Sequence, residues 1–428
     1  MESQSQNSVL LQDYPDRSIW TTWAISYNTI REKDESAANL LLLWSFLDNK
    51  DLWHGLFAAA CRASATTARW LSEWVGDMAS NELKFAQAMG LLRNYSLVED
   101  VEDRASYATH PVVHKWAYHY QDQDCHRKIA RLAVVVVGWA VPHSPTKEYS
   151  TLERRLLPHA QACFQWVPAD ELGRSILSYG EWKLNNDETK EKKLILDAIL
   201  LLGILYSDQG KLSEAEKMFA QALQGKEEAL GPKHPSTLDT VNNLGILYAI
   251  QGKLDEAEKM CVRALQGIEE ALGPKHMSTL TTVHNLGLLY AEQGKLGEAE
   301  KLYARALQGY EEALGPKHPS TLDTVNNLGI FYKDQGKLGE AEKMYMRALQ
   351  GYEEALGLEN ITRYKPALNT MWNLGHLFKT QEDLTKAKEM FSRAFSGYQA
   401  RLGPSSDECR RLERALLSLD SSQGKPGD

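Results

Sequence analysis

The chain has 428 residues, too many for one small core, so its length calls for two or three domains. Hydrophobic residues make up 43% and charged residues 25%, which excludes wholesale disorder. A net charge of −9 argues against a nucleic-acid coat or a membrane-surface binder.

Residues 1–18 read as a polar leader. MESQSQN carries no basic stretch ahead of an apolar one, so no export signal is expected. The five cysteines stand far apart without a CxxC pair. That is the pattern of a reducing compartment, with neither a disulfide framework nor a zinc site. The expected location is the cytoplasm.

Ten of the eleven tryptophans fall between Trp20 and Trp182, so the two halves are expected to differ in architecture. In residues 19–121, helices are predicted over 21–31, 35–47, 65–78 and 81–94. A short hairpin over 96–101 and 107–109 follows, around a charged turn at 102–104. His110-Pro111 then opens another helix, PVVHKWAYHY. Helices followed by a two-strand wing form a winged-helix signature. The helix before the wing carries only Lys84 and Arg93 against Glu82, too little charge to neutralise phosphates, so DNA binding is not expected.

Residues 122–190 read as a helical connector. Its apolar run LAVVVVGWAV (132–141) is about half the ~20 residues of a membrane span and reads as a buried helix or strand. The stretch TLERRLLPHAQACFQWV is expected to cover the exposed face of the first repeat.

Residues 191–404 contain five copies of one unit, three of them in register at a period of 42 residues. Copies 231–272 and 315–356 match at 35 of 42 positions. Each reads as two antiparallel helices. Leu238, Val241, Leu244, Leu247 and Tyr248 mark the buried face of the first helix, and Gln251-Gly252 stops it. Leu254, Ala257, Cys261, Ala264, Leu265 and Ile268 mark the second, ended by Gly273-Pro274. Gly245 sits mid-helix, where glycine costs about 1 kcal/mol relative to alanine, so a close packing contact is expected there. Residues 405–428 read as a capping helix and a disordered tail from residue 421.

The spacing L-G-x-x-Y, an alanine nine residues on, an aromatic four later and an alanine three after that resembles the tetratricopeptide repeat. The 42-residue period and the GPKHPST loop are similar to the kinesin light chain variant. Copy two departs with Cys261, where the others have Phe219, Tyr303, Tyr345 and Phe391. The resemblance implies an α-solenoid whose first helices line a concave groove. There Asn242, Ile250, His284, Glu292, Asn326, Lys333, Asp334, Trp372 and Lys379 would form a changing row on a constant scaffold. Drift on an exposed face is the competing explanation. The uniform row Asn243, Asn285, Asn327 and Asn373 would bind a peptide backbone, as the resemblance favours, or bridge neighbouring helices. His234, His276 and His318 lie one repeat apart and cannot converge on one metal ion.

The stretches TTWAISYNTIREKDESAANLLLLWSFLD, FAQAMGLLRNYSLVED and YATHPVVHKWA resemble fungal nucleotide-switch proteins of the signal-transducing ATPase class (NB-ARC type, NLR-like). In these a P-loop domain precedes the winged helix and the repeats. His110 would match the family's nucleotide-sensing histidine, but no GxxxxGK[ST] accompanies it. His110 is therefore expected to be a helix-start packing residue.

The fold expected is mainly α: about five tetratricopeptide repeats after a winged-helix-like domain with a small β-hairpin. No nucleophile elbow, HExxH or dinucleotide fingerprint is present, so the expected role is a non-catalytic scaffold for a protein or peptide partner. No cofactor, metal, nucleic-acid or membrane partner is expected. The alternative is the regulatory end of a nucleotide-dependent switch whose ATPase domain is absent or supplied in trans.

Overall fold

The computed structural model describes residues 17–101, 105–142, 149–167, 188–362, 364–404 and 406–423. The chain divides into two compact units, residues 1–144 with 149–231 and residues 145–148 with 232–428.

The first unit opens with α1 (Arg17–Lys33), α2 (Glu35–Trp44), α3 (His54–Ala63), α4 (Ala65–Val75) and α5 (Glu82–Asn94). Side-chain caps set the starts of α2, α4 and α5, where Asp34, Ser64 and Asn81 accept from the backbone N–H three residues on. Helix α3 had no counterpart in the sequence reading. The stretch HGLFAAACRA begins at Trp53, which offers no side-chain cap, so no start signal marks it. Strands β1 (Glu99–Val101) and β2 (Ser106–Ala108) pair antiparallel, with Glu99 opposite Ala108. The charged turn expected between them lies outside the described residues. On the other side of β2, Leu52 and Tyr107 exchange two backbone hydrogen bonds of 2.9 and 2.8 Å.

After α6 (Pro111–His119) come α7 (Gln123–Ala140) and α8 (Tyr149–Phe164). The run LAVVVVGWAV lies in α7, with Val134 to Val137 fully buried. This helix packs against α2, α3, α4 and α8, and also against α9 (Glu188–Asp208) of the first repeat. The crossing with α9 is close: a Cβ added at Gly138 would lie 2.5 Å from the Ala198 carbonyl oxygen. The covering role expected of the TLERRLLPHA stretch thus falls mainly to α7. Helix α8 adds Phe164, whose ring meets Tyr206 edge-on. The first repeat is completed by α10 (Leu212–Leu230). Among the tryptophans of this unit, Trp44, Trp70 and Trp116 are fully buried.

The second unit holds four helix pairs: α11 (Pro235–Ile250) with α12 (Leu254–Leu272), α13 (Met277–Glu292) with α14 (Leu296–Leu314), α15 (Pro319–Asp334) with α16 (Leu338–Leu356), and α18 (Lys365–Thr380) with α19 (Leu384–Leu402). The insertion before the last pair forms α17 (Leu358–Ile361). The close approach expected at Gly245 is present. A Cβ there would lie 2.7 Å from Cys261 Sγ, and at Gly329 it would lie 2.6 Å from the Tyr345 ring. The position occupied by Cys261 in copy two is therefore the one that rests on the mid-helix glycine. Gly252, Gly294 and Gly336 turn the chain between paired helices at φ of +75°, +74° and +75°. In the last repeat Glu382 takes that place at φ +64°.

Helix α20 (Asp407–Gln423) closes the unit, with Cys409, Leu412 and Leu419 joining the core of the last pair. Residues 421–423, expected to begin a disordered tail, instead continue this helix. Residues 424–428 lie outside the described residues.

Candidate functional site

In the second unit the first helices of successive pairs touch, α11 against α13 and α15 against α18. The expected groove residues fall on these helices, in rows of unlike character.

The innermost row is a ladder of bonds between repeats. Asn242 is 7% exposed, and its Oδ1 accepts from Asn285 Nδ2 at 3.5 Å. His284 Nε2 accepts from Asn327 Nδ2 at 3.0 Å. Asn326 Oδ1 accepts from Asn373 Nδ2 at 3.3 Å and from Thr370 Oγ1 at 3.0 Å. Asn243 donates within its own helix, to the Asp239 carbonyl at 2.9 Å. Of the two roles open to the asparagine row, these bonds are those of bridging. Because Nε2 of His284 accepts, its proton belongs on Nδ1, which faces Thr324 Oγ1 at 3.5 Å. Burial holds His284 down to about 4, well below the usual histidine value.

The next row outward is apolar. Leu288 and Ile330 stand one repeat apart, 37% and 36% exposed, in register with half-buried Ile246. Leu288 and Ile330 are absent from the expected groove row, although the 42-residue register locates them. Beyond lies the changing polar row. Ile250 is 57% exposed, Glu292 and Asp334 are exposed, and Lys379 donates to Ser418 Oγ at 2.9 Å. Lys333 lies 3.8 Å from Asp334. Trp372 is half-buried, packed on His376 and Phe391 at ring distances of 5.2 and 6.3 Å.

A third set of positions, one on each helix of a pair, varies in matched fashion. Lys226 is fully buried and pairs with Asp197 at 2.7 Å. At the same register Tyr310 meets Thr281 at 3.0 Å, Tyr352 donates to Asp323, and Tyr398 donates to Asn369. Variation at the Ile268 position, which alone looks like drift, is thus answered across the pair by a complementary partner.

These rows converge on a cleft of 430 Å³ at the carboxyl end of the unit. Asn326, Asn327 and Ile330 of α15 line one side, and Trp372, Asn373 and Asn369 of α18 the other. Lys365, Tyr398, Glu408 and Arg411 complete it. Tyr398, Glu408 and Arg411 are not legible as groove residues in the sequence, where α19 and α20 read as packing helices.

The recurrent histidines cap helices. His234, His276 and His318 each accept at Nδ1 from the backbone N–H two residues on, at 3.2 Å. His110 does the same for Val112 at 3.2 Å. Among the described residues no group of three acids, histidines or cysteines could hold a metal ion, and no helix is long and apolar enough to cross a membrane.

The tetratricopeptide repeat family matches residues 195–260, 238–312 and 279–354, and again residues 368–396. These segments are tetratricopeptide repeats. No curated protein is significantly similar to the chain. Similar solved structures include BtubC (BKLC) from P. vanneervenii, 22% identical, covering 56% of this chain and 86% of its own, with a TM-score of 0.42. A kinesin light chain-like protein with nearly identical repeats from Podosopora anserina is 20% identical over 50% of this chain and 98% of its own, TM-score 0.41. A Rap protein complexed with competence and sporulation factor is 13% identical over 83% of this chain and 87% of its own, TM-score 0.47.

Proposed function

We propose that the chain is a non-catalytic, cytoplasmic interaction scaffold that binds a peptide segment of a partner protein along the first helices of its tetratricopeptide repeats. The observation that carries this reading is the apolar row of half-buried Ile246 and exposed Leu288 and Ile330. It lies between a fixed amide ladder and a charged row that changes from repeat to repeat. Repeats that are otherwise nearly identical differ where a ligand would read them. Tetratricopeptide solenoids present such surfaces by their curvature. The ladder contributes by holding the groove floor in one geometry, which lowers the ordering cost of binding.

Selection of displayed random peptides on the full chain tests the reading. Enriched peptides are expected to lose at least tenfold in affinity for the Leu288→Glu, Ile330→Glu double variant. Because both side chains are exposed, the melting temperature should stay within a few degrees. Absence of enrichment, or equal affinity for the variant, would overturn it.

A second reading, the regulatory end of an NLR-like switch, has one supporting observation. The Leu52–Tyr107 bridge ties one residue pair to the outer side of the two-stranded β1–β2 hairpin, which follows the helix α5 as a wing would. Against it stands His110, whose Nδ1 is committed to capping α6. Titration with ADP is expected to give no heat; saturable binding at micromolar concentration would favour the switch.

A further inference from the structure

Three charged side chains around the 430 Å³ cleft, Lys365, Glu408 and Arg411, make no salt bridge or side-chain hydrogen bond with any described residue. On the same helix, Asp407 and Arg410 at the same i,i+3 spacing pair at 2.5 Å. Pairs of this kind also form between Glu340 and Lys343 and between Asp383 and Lys386. Glu408 and Arg411 instead both line the cleft, with Glu408 only half-exposed beside buried Tyr398. Asn369 adds an amide NH2 group, because its Oδ1 is taken by the Tyr398 hydroxyl. The cleft therefore offers an anion site, a cation site and the Asn369 amide donor around an apolar side formed by Trp372 and Ile330.

We propose that this cleft binds the head group of a free α-amino acid with an apolar side chain. Arg411 and Lys365 would hold the carboxylate, Glu408 the ammonium, and Trp372 with Ile330 the side chain. Residues three apart on a helix have Cβ atoms about 5–6 Å apart, which suits two charges on one carbon better than the separated ends of a longer peptide. A carboxylate alone would leave Glu408 unanswered, and a phosphate would set a second negative charge beside it. The volume lies in the range of about 300–1,000 Å³ usual for small-molecule sites. The proposal shares Ile330 and Trp372 with the peptide groove but turns on Glu408, Arg411 and Lys365, which the peptide reading does not use.

Calorimetric titration of the full chain with L-phenylalanine and L-leucine tests it, with N-acetyl-L-phenylalanine amide and phenylacetate as partners lacking one or both charges. Saturable binding of the amino acids is expected, with the amide and phenylacetate at least tenfold weaker. Arg411→Gln and Glu408→Gln should each weaken the amino acids tenfold or more, while Glu340→Gln, whose partner Lys343 lies outside the cleft, should leave them unchanged. No binding at millimolar concentration, equal binding of the uncharged amide, or indifference to both cleft substitutions would overturn the proposal. Loss of peptide selection with amino-acid binding intact would count against the groove alone.

Discussion

At Gly287 an added Cβ would stand 3.4 Å from the nearest atoms of Leu302 and Tyr303, ordinary van der Waals contact. At Gly329 the same atom would sit 2.6 Å from the Tyr345 ring, which has no room to retreat in a buried cluster. Gly329→Ala is therefore expected to destabilise by about 1–3 kcal/mol through overpacking. Gly287→Ala should be neutral or gain up to about 1 kcal/mol in helix propensity. Urea unfolding of the two variants checks the contrast. The mid-helix contact was legible in the sequence, since only packing explains a glycine there. The difference between two such glycines was not, because it depends on tenths of an ångström in ring position.

His284 makes a second residue-scale case. Its value is about 4 when folded against 6.5 unperturbed, so the unfolded chain binds this proton more readily. Its contribution to stability is complete above pH 6.5 and is lost as pH falls toward 4, amounting to on the order of 3 kcal/mol. His284→Asn places the acceptor used at Asn242 and Asn326 in the same position. This variant is expected to keep the bridge to Asn327 and to flatten the fall in unfolding free energy between pH 6.5 and 4. An unchanged slope would show that the imidazole is not part of the ladder.

At the scale of single elements, the helix starts carry the information. The GPKHPST loop identifies where α11 and α15 begin, and Pro at the first helical position fits there because its missing N–H costs nothing, while α13 starts on Met277 in the same register. The preceding histidine is not an expected cap, since aspartate, asparagine, serine and threonine are the usual ones. Its Nδ1 nevertheless does their work. His276→Ala is expected to cost about 1 kcal/mol, and His276→Asp to restore it, as thermal melting would report. The turn into α19 is strained where its sisters are not, because Glu382 holds a backbone conformation that glycine adopts freely. Glu382→Gly should raise stability by about 1 kcal/mol, against the general trend of glycine substitution. Helix α3 escaped detection because nothing in its sequence marks a start.

For the whole molecule, the uneven tryptophan count pointed to two architectures, and the first unit does bury Trp44, Trp70 and Trp116. Periodicity marked a boundary at the first repeat, yet the compact units divide later, after Gly231. The cause is α7, which packs closely on α9 through Gly138 and Ala198 and joins the first repeat to the first unit. A fragment of residues 232–423 is accordingly expected to unfold cooperatively on its own. A fragment of residues 191–404 would strip α7 from α9 and α20 from the last pair, and is expected to aggregate. The central claim is that partners bind along the first helices of the repeats. A selected peptide carrying a photo-reactive side chain, cross-linked to the full chain and mapped by mass spectrometry, tests this most directly. Attachment at Ile246, Leu288, Ile330 or Trp372 is the predicted result. Attachment confined to the second helices, α12, α14, α16 and α19, would contradict it.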